Sequence, residues 1–62
     1  MWNSVEVSVG PAKHRGRYRV EGRRLVLEWR GGRALEWCGH LRPEVVAAST
    51  LRHLATRAAY AA

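Results

Sequence analysis

Apolar and polar residues alternate over residues 2–9, with Val5, Val7 and Val9 on one parity and Ser4, Glu6 and Ser8 on the other. A period of two is the signature of a strand with one buried face. Gly10-Pro11 closes it, because proline cannot donate to a strand ladder, and residues 10–15 read as the loop that follows. Alternation resumes over residues 16–21 and 24–30. Between them, Gly22-Arg23 puts glycine first, as a two-residue type II′ turn requires. Counting outward pairs Glu21 with Arg24, Val20 with Leu25, Arg19 with Val26, Tyr18 with Leu27 and Arg17 with Glu28. In this register opposite charges meet twice; a one-residue slip would set Arg19 against Arg24.

Gly31-Gly32 marks the next reversal. The expected connection is a three-residue loop that pairs Trp29 with Leu35. A last strand over residues 34–38 then points Leu35 and Trp37 inward and Glu36 and Cys38 outward. Beyond Gly39 the period changes. Pro43 suits a first helical turn, Glu44 complements the positive end of the helix dipole, and Arg57 the negative end. A helix over residues 43–60 follows. Its apolar stripe is Ala47, Leu51, Leu54, Ala55 and Ala58; Ser49, His53, Thr56, Arg57 and Tyr60 lie opposite, with Val45 and Val46 flanking that outer face. A stripe of small residues matches a sheet whose inward set is bulky. The predicted fold class is therefore α+β: an antiparallel meander of three to four strands with one C-terminal helix packed on one face.

Length narrows the function classes. Sixty-two residues suffice for one domain, and a chain this short buries only about 60% of its unfolded surface. Little room is left for an enclosed catalytic cavity, so the expectation is a non-enzymatic module without a cofactor. Cys38 is the only cysteine, so no disulfide closes within the chain, and a reducing compartment fits. The first residues lack a basic start and an apolar core, and no apolar run approaches the ~18 residues of a membrane span. No membrane association is expected, and the expected location is cytoplasmic.

Charge points to a partner. Between Lys13 and Arg33 stand eight basic residues and two carboxylates, which equals the whole formal net charge of +6. Outside that window Arg42, Arg52 and Arg57 balance Glu6, Glu36 and Glu44. Arg15, Arg17 and Arg19 share the outward parity, joined by Arg24 and Arg30 from the neighbouring strand. Guanidinium groups stay charged and bind phosphate bidentately, so these five are the candidate nucleic-acid-binding residues, for DNA or RNA. Tyr18, Trp29 and Trp37 fall on the inward parity and are expected in the core rather than on a base-stacking surface.

Cys38, His40 and His53 provide three metal-ligand types, but structural zinc takes four, so no metal is expected. A Cys38–His40 thiol nucleophile lacks any marked orienting third group. The alternative function is a protein–protein module, a homodimer or a partner for another chain, seeded by Val45, Val46, His53 and Tyr60 on the helix or by the open strand edges.

Two resemblances accompany this reading. Leu25-x-Leu27-x-Trp29-x-x-Gly32-x-x-Leu35-x-Trp37, followed by Pro43-Glu44-Val45-Val46, resembles the small domains named for a Lys-Thr-Ser-Cys motif, although that motif is absent from this chain. A three-stranded sheet backed by one helix is similar to the plant-type and integrase-arm DNA-binding domains. That likeness implies major-groove contact through Arg17, Arg19, Arg24 and Arg30.

Overall fold

A computed structural model describes residues 1–60, apart from the side chain of Tyr60, whose expected place on the outer helix face lies outside the described residues. Four strands and a helix follow in chain order: β1 (Asn3–Val9), β2 (Ala12–Glu21), β3 (Arg24–Trp29), β4 (Gly32–Trp37) and α1 (Pro43–Tyr60). The strands form one antiparallel sheet in the order β1-β2-β3-β4, and the helix packs on one face. The α+β meander and the helix limits are as the sequence predicts.

The β2–β3 register is also the expected one, from Glu21 opposite Arg24 through Arg17 opposite Glu28. Gly22 has φ of +67°, and among the described residues no non-glycine residue has positive φ. A positive first and a negative second turn residue is the type II′ combination, which matches the twist of the flanking strands.

Three expectations need correction. The loop over residues 10–15 shrinks to Gly10-Pro11, and β2 begins at Ala12, because Lys13, His14 and Arg15 pair with Ser8, Val7 and Glu6 of β1. Pro11 is tolerated because it occupies a turn position outside the ladder.

The second correction concerns β4. Trp29 pairs directly with Gly32, so Arg30-Gly31 is a two-residue connection and Gly32 takes the bend with φ of +135°. The expected pairing of Trp29 with Leu35 is displaced. Because side chains alternate every residue, the shift exchanges the two faces of the strand. Leu35 and Trp37 point away from the helix, 60% and 64% exposed, while Ala34 and Glu36 lie on the helix side. Cys38 is buried instead of outward.

The third correction is on the helix, where Val46 is buried and Ala58 exposed, so the stripe is centred on Val46, Ala47, Leu51 and Ala55.

The core joins Val7, Tyr18, Leu25 and Leu27 from the sheet to Cys38 and to Val46, Ala47 and Leu51 from the helix, with Trp29 and Leu54 at its margin. Ala47 and Ala55 are essentially inaccessible, so the helix approaches the sheet closely. Arg42 precedes the helix and accepts the first helical bond from Val46 N–H (3.1 Å). The chain enters through a turn in which Leu41 N–H donates to the Cys38 carbonyl (3.0 Å). The helix lies over β1, β2 and β3. β4 therefore has no buried residue, and an open groove runs between it and α1, lined in part by Ala34, Glu36, Leu41, Val45, His53 and Arg57. Among the described residues no helix is long and apolar enough to cross a membrane.

Gly16 sits opposite Trp29. A Cβ there would lie 2.9 Å from the Glu28 carbonyl oxygen and 3.2 Å from Trp29 Cβ. Backbone cannot retreat as a flexible side chain can. Gly16→Ala should therefore destabilise the fold by about 1–3 kcal/mol, the usual range for overpacking, measured as a lowered urea midpoint with unchanged m value. An unchanged midpoint would contradict the close approach.

Candidate nucleic-acid interface

The sheet face away from the helix is assembled by strand parity. β2 contributes Lys13, Arg15, Arg17, Arg19 and Glu21; β3 contributes Arg24, Val26 and Glu28; β4 contributes Arg33, Leu35 and Trp37; β1 contributes Ser4, Glu6 and Ser8. Six basic residues thus face solvent together with three carboxylates. Of the five candidate arginines, Arg15, Arg17, Arg19 and Arg24 are on this face. Arg30 is not: it occupies the β3–β4 turn, exposed at the rim of the sheet. Arg33, not among the five candidates, is on this face, on β4 opposite Glu28.

Carboxylates organise most of these guanidiniums. Glu28 receives Arg17 on one oxygen, through Nε at 3.1 Å and Nη2 at 2.8 Å, and Arg33 on the other, through Nε at 3.0 Å and a second contact from Nη2. Arg15 Nη2 reaches Glu6 at 3.1 Å, and Arg19 Nη2 reaches Glu21 at 2.7 Å. Glu21 stands opposite Arg24 in the ladder, yet its carboxylate is spent on Arg19, two residues away on its own strand. Among the described residues, neither Lys13 nor Arg24 makes an ion pair. All four paired arginines remain more than two-fifths exposed. Exposed pairs of this kind contribute only about 0–1 kcal/mol, so a phosphate can replace a carboxylate at small cost.

Aromatic rings are present on this face too, against the sequence expectation. Trp2, just before β1, lies beneath two guanidiniums, with Arg17 Cζ 4.3 Å and Arg19 Cζ 5.0 Å from its ring centre. Among the described residues Arg19 Nε is buried with no hydrogen-bond partner, while the same guanidinium lies over the electron-rich indole face of Trp2 and meets Glu21 through Nη2. Val26, although outside the helix-side core, is only 4% exposed, flanked across the ladder by Arg19 and Leu35. The stems of such arginines cover apolar surface while their charged heads stay wet. Trp37, exposed at the β4 end opposite Arg24, was missed because its parity depends on the β3–β4 loop length. Tyr18 is buried and Trp29 half-buried against the core, as expected.

The other candidate chemistry does not converge. Cys38 is a buried free thiol, and His40 and His53 are exposed. Among the described residues no group of three or more His, Cys, Asp and Glu could hold a metal ion.

The hydrogen bonds from Arg17, and then those from Arg33, hold the Glu28 carboxyl below its ordinary 4.5. A lowered folded-state pKa contributes stability that is fully present above the ordinary value and lost as pH falls through the folded one. An NMR titration should place the Glu28 carboxyl midpoint below 4.5, and Arg17→Ala with Arg33→Ala should return it toward that value. A midpoint at or above 4.5 in the unaltered protein would rule out the double pairing.

No protein-family model matches this chain, and no curated protein or solved structure matches it either.

Proposed function

We propose that this chain is a non-enzymatic, cytoplasmic binding module that takes nucleic acid, DNA or RNA, on the outer face of its sheet. The observation that carries the reading is the segregation of the fold. One sheet face is committed to the helix, while the other presents Lys13, Arg15, Arg17, Arg19, Arg24 and Arg33 to solvent. Lys13 and Arg24 offer charge that no ion pair among the described residues engages. Arg15, Arg17 and Arg19 offer guanidiniums already held in fixed orientations by carboxylates and by Trp2. Pre-oriented donors lose less side-chain entropy on meeting a phosphate. Arg30 adds charge at the rim.

Titration of labelled DNA and RNA across a salt series tests this. Log K should fall linearly with log salt, with a slope of roughly −0.9 per phosphate neutralised on duplex and −0.7 on single strands. Lys13→Ala and Arg24→Ala should each shallow that slope by about one contact and leave thermal stability unchanged, because neither residue is tied to a carboxylate. Absence of binding at low salt would end the proposal.

A second reading, association with another protein or with a second copy, draws on β4. This edge strand has an open ladder side, two exposed apolar side chains and the groove behind it. Light scattering decides the homodimer form of it. A dimer through β4 should dissociate on Leu35→Lys, whereas a monomer at all concentrations removes that form.

A further inference from the structure

Resting on the nucleic-acid reading, we infer that the ligand is single-stranded and that Trp37 is the platform on which one of its bases stacks, with the adjoining phosphate on Arg24. The two residues stand directly opposite each other across the β3–β4 ladder, on the outer face. They line a shallow recess with Leu35 and Glu36. Trp37 is 64% exposed and Leu35 60%, so the recess offers a flat aromatic wall beside an aliphatic one. Exposing an indole to water in so small a fold forfeits burial that the molecule needs, and a stacked base would restore it.

The charges select the same spot. Arg15, Arg17, Arg19 and Arg33 each hold a carboxylate, and Arg19 occupies Glu21, the acid that faces Arg24. Arg24 is left as the guanidinium beside an aromatic ring with no ion pair among the described residues. Glu36 projects to the helix side of β4 and repels phosphate from that edge, so the backbone of the ligand is directed toward Arg24. Trp2 cannot serve equally, because Arg17 and Arg19 already cover its ring at 4.3 and 5.0 Å. A duplex keeps its base faces stacked on one another and has none to offer Trp37. A single strand offers a π face at every nucleotide, whatever the base. From Arg24 the strand can continue over Arg19 and Arg17, which follow across the sheet on β2.

The test compares labelled oligo(dT), oligo(U) and a hairpin duplex of matched length at low salt, with folding of every variant checked by circular dichroism. The unaltered protein should bind the single strands more tightly than the duplex. Trp37→Ala should weaken single-strand binding by about tenfold without altering the salt slope, since a stack is not an ionic contact. Trp37→Phe should retain most of the affinity. Trp37→Lys separates stacking from charge: it should weaken single-strand binding although it adds a positive charge, whereas attraction by charge alone would tighten it. Arg24→Ala should shallow the salt slope. Single-strand affinity unchanged in Trp37→Ala, or raised in Trp37→Lys, would overturn the stacking assignment while leaving phosphate binding intact. Failure of the unaltered protein to bind any of the three probes would overturn the nucleic-acid reading, and this assignment with it.

Discussion

The close seating of α1 on β1, β2 and β3 is the constraint from which the rest of the molecule follows. Val46, Ala47 and Leu51 meet Val7, Tyr18, Leu25 and Leu27 in one thin core layer. Alanines let the axis come near the sheet, which gives dense packing but a narrow footprint. An eighteen-residue helix with so narrow a footprint covers three strands of a four-stranded sheet. The fourth strand is held by its ladder to β3 and by the bond from Cys38 N–H to the Arg23 carbonyl (2.8 Å). A small domain has little surplus stability, and this one spends its apolar residues on two faces rather than one.

That division gives the outer face its character. It is neither a plain solvated surface nor a second core. Trp2 and Val26 are sheltered by the stems and heads of Arg17 and Arg19, and those arginines are oriented by Glu28 and Glu21. Charge and apolar cover are supplied by the same side chains. A substitution at Arg17 or Arg19 therefore removes structure as well as charge, which makes those two less clean probes of binding than Lys13 or Arg24.

Much of this was legible in the chain. Gly22, together with the two charge pairs that follow from it, determined the central hairpin, and Pro43, Glu44 and Arg57 marked the helix correctly. Parity alone placed Arg15, Arg17, Arg19 and Arg24 on one face. The faces of β4 turn on one loop. Where a turn could be built in two lengths, the choice went to the length that turned the largest apolar residues inward. For β4 that meant a three-residue loop and buried Leu35 and Trp37; the two-residue loop at Arg30-Gly31 does the reverse. The first half of β2 was hidden for another reason: with polar Lys13, His14 and Arg15 and a small residue at Ala12, its alternation is weak. Trp37 and the loss of Arg30 from the face are both consequences of that single loop.

The uncovered position of β4 also bears on how the molecule moves. Opening β4 would break its ladder to β3 and uncover Val26, which Leu35 flanks on the outer face, and Leu27, opposite Ala34 on the helix side. Gly32 and Gly39 stand at its two ends, both with positive φ. Native proteins open first where few buried contacts are lost, so the cover that β4 gives to β3 ties its amides to the sheet. The strand that carries the exposed indole is thus also the cover over Val26, and its place in the sheet is fixed by what it shelters as well as by its ladder.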